Sequence, residues 1–286
     1  MKGSPPVRAV ATLGCCFAWQ AVGAEPVIGQ FELKTLESEP GAFEFQSQNA
    51  WSSGHPARQV ARDDTGELLF DENAVVRQRH ALELEAGLTS SLKMRVGVEF
   101  EKERFDEPET LEQANAFDDL QLSEFGAELI AILVPRDREG AALGVVMEFE
   151  RPLDDEEPDV LIVGSILEFL SGRWFAAATP MAVRTFGQGD NKWDFGYAAQ
   201  LAYSFSESWS LALEGYGTVE RLADSGHPSS SAQLFGDFDQ HRAGAVLYHV
   251  AGLQGDMSLN VGIGLLAGLN RHTPDRTVKL SIEVDF

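Results

Sequence analysis

The chain has 286 residues, enough for one large all-β domain or two domains of ordinary size. Its formal charge of −23 repels the phosphates of nucleic acids, so we expect no nucleic-acid partner. Hydrophobic residues make up 44% of the chain, including 18 Phe, which argues against a disordered acidic polypeptide.

The N-terminus predicts a cleavable secretory signal peptide. A positive region with Lys2 and Arg8 precedes an apolar region, and small residues end at Ala24. The apolar region is shorter than the ~20 residues that a membrane-spanning helix needs. We therefore predict a signal peptide over residues 1–24 and one folded domain over residues 25–286. Cleavage there removes both cysteines of the chain, so we expect neither disulfides nor thiol catalysis.

From residue 76 onward, apolar and polar residues alternate, as in strands with one apolar and one polar face. Residues 82–88 and 92–100 flank three polar residues and predict a hairpin. An earlier strand is predicted near residues 43–51. Further predicted strands cover 125–133, 141–149, 159–170, 173–186, 193–205, 209–213, 240–251, 257–265 and 280–286, which brings the count to twelve.

Short and long connections alternate between these strands. The short ones are 89–91, 135–139, 171–172, 206–208 and 252–255, and the long ones are 52–75, 106–118, 151–158, 187–192, 221–239 and 269–276. An up-and-down barrel with one short-turn end and one long-loop end requires this alternation. An even strand number also places both chain ends at the short-turn end, which is the periplasmic side of outer-membrane barrels.

Strand length favours a membrane barrel over a soluble β-sandwich. The predicted strands reach about 10 to 13 residues, above the soluble mode of ~5–6 and close to the ~9–11 that cross a bilayer obliquely. Aromatic residues gather at strand ends, as in interfacial girdles: Phe100, Trp174, Phe205, Trp209 and Phe286. The predicted fold is all-β, a transmembrane up-and-down antiparallel β-barrel of about twelve strands, monomeric and located in the outer membrane. Pro180 complicates this count, because its missing N–H requires a bulge or an early strand end near Thr179.

The closing run from Val278 to Phe286 resembles the last strand of Gram-negative outer-membrane barrels. Those proteins end in an aromatic residue, usually Phe, after alternating apolar residues, and the barrel-assembly machinery recognises that strand. The resemblance implies that Phe286 is an assembly signal and that this machinery is a partner during insertion. Outer-membrane lipid and lipopolysaccharide are the other partners we expect.

The hairpin over residues 84–99 resembles one found in outer-membrane channels of the phenol-degradation-pathway type. Those channels usually carry Tyr-Gly-Leu-Thr-Asp, where this chain has Ala86 and Ser90 in place of the Tyr and the Asp. The resemblance implies a channel role and identifies no substrate.

The polar faces of the strands define the expected pore wall. We predict that the pore is lined by Glu83, Glu85, Arg95, Glu99, Glu128, Glu148, Glu168, Arg184 and Glu214. An acid-rich wall favours cations, which predicts a passive channel for small solutes with a weak cation preference. Alternatively, charges of both signs pair across strands and fill the interior. A barrel of about twelve strands permits either arrangement.

Two other functions stay open at this stage. The long loops at 52–75 and 221–239 suit a structural or adhesive barrel, and acidic loops such as 154–157 suit either divalent cations bound to lipopolysaccharide or plain solvation. A lipid hydrolase needs Ser and His on the barrel wall, and the nearest match is His227 with Ser229.

Three further histidines, His80, His241 and His249, stand alone in predicted strands. No nucleophile elbow, paired-histidine zinc helix or phosphate-binding loop occurs in the sequence. We therefore expect no enzymatic activity, no cofactor and no metal.

Overall fold

The computed structural model describes residues 34–53, 61–62, 68–69, 78–102, 119–136, 139–153, 159–186, 193–219, 240–255, 257–270 and 273–286. The predicted signal peptide, the pair His227 and Ser229, and the acidic loop 154–157 lie outside these residues. Within the described part of the chain, no helix has the length and apolar character that crossing a membrane requires.

Twelve antiparallel strands close into one barrel, in which each strand pairs with its neighbour along the chain. They are β1 (Phe43–Ser53), β4 (Gln78–Thr89), β5 (Leu92–Lys102), β6 (Gln121–Val134), β7 (Gly140–Pro152), β8 (Asp159–Ser171), β9 (Trp174–Phe186), β10 (Trp193–Ser204), β11 (Trp209–Val219), β12 (His241–Gly252), β13 (Ser258–Gly268) and β14 (Arg276–Asp285). Two very short strands, β2 (Ala61–Arg62) and β3 (Leu68–Leu69), form a separate ladder. The predicted fold class is confirmed.

Short connections join β4 to β5, β6 to β7, β8 to β9, β10 to β11 and β12 to β13. We call the end of the barrel that carries them the short-turn end, and the opposite end the long-loop end. The first residue of β1 and the last residue of β14 also lie at the short-turn end, because the two strands pair in antiparallel register from Glu44 with Asp285 to Ser53 with Arg276.

The barrel closes where the first and last strands meet. The N–H of Phe43 donates to the carbonyl of Phe286 at 3.0 Å, and the N–H of Phe286 donates to the carbonyl of Phe43 at 2.9 Å. Their rings stack with centroids 6.2 Å apart. Closure is necessary in a bilayer, because hydrocarbon cannot satisfy the polar groups of an open sheet edge.

The two faces of the strands have opposite environments. Large apolar side chains on the outward face are exposed, for example Leu213 at 61% and Ile263 at 57%. Side chains on the inward face are buried even when charged, and Lys93 is only 1% exposed. A continuous apolar outer surface around a partly polar interior is the arrangement of a transmembrane barrel.

Strand β9 continues through Pro180 without a break. Its ladder with β8 pairs Gly164 with Met181 and Leu167 with Ala178, and the two positions between these pairs are unmatched. Pro180 lies in that gap, and the register is the same on both sides of it, so the missing N–H interrupts the ladder locally without a bulge, while the ladder with β10 continues through Pro180. The strand count of twelve therefore holds.

The barrel interior as candidate functional site

Eight predicted pore-lining residues lie on the inward face of the barrel. They are Glu83 and Glu85 on β4, Arg95 and Glu99 on β5, Glu128 on β6, Glu148 on β7, Glu168 on β8 and Glu214 on β11. They share this face because successive side chains of a strand point to opposite faces, and that they line a pore stays a prediction.

Arg184 requires a correction to the predicted pore lining. On β9 the buried, inward side chains are those of Thr179, Met181, Val183 and Thr185, which puts Arg184 on the outward face. Its guanidinium carbon lies 5.2 Å from the ring centroid of Trp193. A guanidinium stacked on an aromatic ring is stabilised by the cation–π interaction, which accounts for a charged side chain on the outside near a strand end.

Arg95 is the centre of a charged network on one side of the interior. Its guanidinium lies 2.9 Å from Glu85, 3.7 Å from Glu83 and 3.8 Å from Glu128. Lys93 adds an ion pair with Glu85 at 2.8 Å. These residues come from three adjacent strands, so the network ties β4, β5 and β6 together across the inward face.

A second ion-pair group lies nearer the long-loop end of the same wall. Arg79 on β4 pairs with Glu99 on β5 at 2.9 Å and also with Glu101. Glu101 is 2% exposed, so this group is removed from water. Charge pairing across strands thus fills part of the interior, as one of the two sequence-based alternatives predicted.

Glu214 is the centre of a third polar group on the opposite wall. Its carboxylate accepts hydrogen bonds from Gln200 at 2.9 Å and from the Tyr216 and Tyr248 hydroxyls at 2.5 Å, and it pairs with Lys279 at 2.8 Å. Both tyrosines are 0% exposed. A buried carboxylate with this many donors is well compensated, so the cluster can persist in a low-dielectric interior.

An unpredicted element also enters the barrel: residues 34–42, which we call the inner segment, with Lys34 and Leu36 buried and residues 39–42 exposed. It is not a strand, and it enters from the short-turn end. The N–H of Ala42 donates to the carbonyl of Glu39 at 3.1 Å, and Gly41 has a φ of +86°. With Pro40 in the second position, this is a type II turn, which reverses the chain from β1 into the interior.

Lys34 anchors the far end of the inner segment. Its ammonium pairs with Glu148 at 2.8 Å and with Glu128, whose carboxylates come from adjacent strands. Burial alone would lower the pKa of Lys34, but the two carboxylates outweigh this effect and raise that pKa above its ordinary value. Lys34 therefore stays charged inside the barrel.

Leu36 provides the apolar contact of the inner segment. Its N–H donates to the Glu168 carboxylate at 2.8 Å, and its side chain is 3% exposed. It packs in a cluster with Ile130, Ile132, Ala142, Val146 and Ile166 on the inward faces of β6, β7 and β8. The interior thus has an apolar patch beside its charged wall.

Further contacts hold the rest of the inner segment, including those of Glu37 and Ser38. Arg136, in the turn between β6 and β7, pairs with Glu168 at 3.3 Å and also with Glu37. The Ser38 hydroxyl donates to the carbonyl of Thr89 at 2.7 Å. The sequence analysis missed this segment, although the Pro40-Gly41 pair ahead of the first strand was a signal for a reversal there.

Acidic side chains outnumber basic ones on the inward face of the described strands. The acids are Glu44, Glu83, Glu85, Glu99, Glu101, Glu124, Glu128, Glu148, Glu150, Glu168, Asp194, Glu214, Glu283 and Asp285, and the bases are Arg79, Lys93, Arg95, Arg242 and Lys279. At the short-turn end, carboxylate oxygens of Glu44, Glu283 and Asp285 lie within 4.8 Å of one another. On the described inward face, carboxyl groups therefore outnumber basic groups fourteen to five, and Lys34 and Arg136 add two further basic groups to the interior.

The three strand histidines each have a hydrogen-bond partner. These partners are Asn49 for His80, Tyr197 for His241 and the carbonyl of Ser208 for His249. His80 lies on β4, whereas His241 and His249 both lie on β12, and none of the three contacts another in these bonds. These bonds support the interpretation that the three histidines are wall residues whose ring nitrogens have hydrogen-bond partners.

Neither a protein-family model nor the sequence of a curated protein matches the chain. Solved structures, by contrast, are similar to the chain in fold. The COG4313 outer membrane channel from Pseudomonas putida F1 is similar with a TM-score of 0.57 at 11% identity, over 87% of this chain and 97% of that one. The NanC porin is similar with a TM-score of 0.50 at 8% identity, over 85% of this chain and 98% of that one.

At these identities the likeness concerns the fold. The chain has the closed, up-and-down barrel fold that the COG4313 outer membrane channel also has. Its closed ladder and apolar outer face place it in the outer membrane, as the sequence predicted.

Proposed function

We propose that the protein is a passive outer-membrane channel for small solutes with a preference for cations. The observation that carries this proposal is the excess of carboxylates on the inward face of the described strands. A lumen of one sign of charge, walled by low-dielectric material, concentrates counter-ions and repels co-ions. Similar barrels that carry the names channel and porin support a conducting role for this one.

Many of the inward side chains are packed rather than solvated, although others, such as Glu83 and Glu148, are partly exposed. Lys93 and Glu214 are each 1% exposed, and Ile166 and Tyr216 are 0% exposed. Residues that line an open aqueous pore are accessible to water, so we infer that a channel with this packing is closed. We infer that conduction requires Lys34 to Leu36 to leave their position, since among the described residues they are interior ones that belong to no strand of the barrel.

Reversal potentials in planar bilayers test the proposal. Under a KCl gradient, purified protein should give a reversal potential whose sign shows that K⁺ passes more readily than Cl⁻. Replacing inward Glu83 by Gln should move that potential toward zero, because one wall charge is lost. Glu207→Gln, in the exposed turn between β10 and β11, is the matched control and should leave it unchanged. Absence of any conductance would instead favour a structural or adhesive barrel.

A further inference from the structure

We propose that Glu128 and Glu148 form a binding site for the primary ammonium group of a cationic solute, and that Lys34 occupies this site in the closed channel. The inference rests on the proposed channel function and names the class of solute: primary alkylammonium compounds. Lys34 and the solute compete for one pair of carboxylates, so solute binding and docking of the inner segment exclude each other.

The register of the barrel places the two carboxylates together. Glu128 on β6 lies directly opposite Glu148 on β7, both on the inward face. Like charges directly opposite each other on neighbouring strands are destabilising. The pair therefore needs cations nearby. Arg95 of the wall lies 3.8 Å from Glu128, whereas the ammonium that contacts both carboxylates, 2.8 Å from Glu148, belongs to Lys34 of the inner segment.

The geometry around Lys34 matches the chemistry of an ammonium ligand. A –NH₃⁺ group has three donors, and in the structure it contacts Glu128 and Glu148 at once. The side chain of Lys34 is 6% exposed, so the charged group is almost entirely held by protein. Arg95 lies 3.8 Å from the other oxygen of Glu128 and leaves the oxygen used by Lys34 to a second cation.

The inner segment can release this site without unfolding the barrel. Its junction with β1 is the type II turn at Pro40 and Gly41, while β1 itself is paired on both sides with β14 and β4. Rotation at this turn would withdraw Lys34 and Leu36 and leave all twelve strands paired. Withdrawal removes the ammonium shared by Glu128 and Glu148 and leaves Glu128 with Arg95, so a cationic solute can take the position that Lys34 vacates.

Chemical rescue tests the site independently of conductance. Lys34→Ala removes the atoms of a propylammonium ion, so added propylammonium chloride should raise the thermal unfolding midpoint of the detergent-solubilised variant by several degrees. Neither 1-propanol, which lacks the charge, nor NaCl at equal concentration should do so. Wild-type protein should not respond, because its own lysine fills the site. Adding Glu148→Gln to Lys34→Ala should abolish the rescue.

Lys279→Ala is the matched control, since it also truncates a buried, carboxylate-paired lysine of the interior. Lys279 is part of the wall cluster around Glu214, between two tyrosines that are 0% exposed, so propylammonium should not rescue this variant. Equal rescue of both variants, or no rescue of Lys34→Ala, overturns the proposal. If Lys34→Ala fails to fold, Lys34→Gln replaces it. Propylammonium should then still raise the thermal unfolding midpoint, because it competes with the uncharged amide of the glutamine for the two carboxylates.

Conductance measurements distinguish a failure of the proposed ammonium site from a failure of the proposed channel function. Propylammonium should block K⁺ current through the Lys34→Ala channel at a concentration at least tenfold below that needed for wild type. Rescue of unfolding in a protein that never conducts would uphold the ammonium site and overturn the proposed channel function. Conduction by Lys34→Ala without block or rescue would uphold the channel and overturn the site.

Discussion

Leu36 of the inner segment occupies the space that the missing side chain of Gly144 leaves on β7. A Cβ built at Gly144 would collide with Leu36 Cδ2 and would lie 3.1 Å from the carbonyl oxygen of Ala131. Gly144 is therefore required by the docked segment, since the strand itself has no backbone conformation there that demands glycine. The wall and the segment are shaped to each other at this point.

Gly144→Ala should undock the inner segment. The added methyl overpacks the contact with Leu36, which costs about 1–3 kcal/mol if the segment stays in place. Once undocked, Lys34 becomes accessible, so trypsin should cleave after it faster than in wild type, as followed by mass spectrometry. Gly126→Ala is the matched control: Gly126 is inward-facing on neighbouring β6, and a Cβ there meets nothing within 4 Å. Equal cleavage rates in both variants would contradict the proposed fit.

The strands were predictable because alternation is a local property of the sequence. The hairpin predicted over residues 82–88 and 92–100 corresponds to β4 and β5. The alternation of short and long connections correctly predicted that the first and last strands begin and end at the short-turn end. The inner segment was not predictable in the same way. Lys34 and Leu36 have no periodic partner in sequence, and their contacts, Glu128 and Gly144, lie about a hundred residues away.

Arg184 shows a different limit of sequence reasoning. Its charge suggested an inward position, although its parity with Pro180 and Ala182 placed it outward. The stacking partner that permits this position, Trp193, belongs to the next strand across a long loop. Near a strand end, the alternation of residues therefore predicts the orientation of a side chain better than its charge does, because the polar interfacial region can accept a cation.

Glu214→Gln should destabilise the barrel strongly. It leaves the ammonium of Lys279 without its carboxylate in a buried site, and losing one partner of a buried pair costs about 3–5 kcal/mol. Reversible urea unfolding in lipid vesicles measures this change. Glu207→Gln, in an exposed turn, is the control and should change the free energy of unfolding by less than about 0.5 kcal/mol. Similar stability of the two variants would show that the Glu214 cluster contributes little.

The loss of stability caused by an arginine on the outer surface should depend on its depth in the bilayer. Leu213 lies near the middle of β11 and is 61% exposed, whereas Leu269 follows the end of β13 and is 62% exposed. Leu213→Arg should lower the free energy of unfolding by about 2–4 kcal/mol in vesicles, and Leu269→Arg by about 0–1 kcal/mol. A soluble barrel would tolerate both substitutions equally, so equal effects would contradict the bilayer assignment.

The central claim is that the inner segment closes the channel, and a reversible disulfide between Leu36→Cys and Gly144→Cys tests it most directly. Leu36 Cγ lies 3.6 Å from the Cβ position at residue 144, which brings two cysteines within disulfide reach. The chain's own cysteines are Cys15 and Cys16, both in the predicted signal peptide. We predict that the oxidised double variant does not conduct in planar bilayers and that a reducing agent restores cation-preferring current. Equal conductance in the oxidised and reduced states would contradict the account.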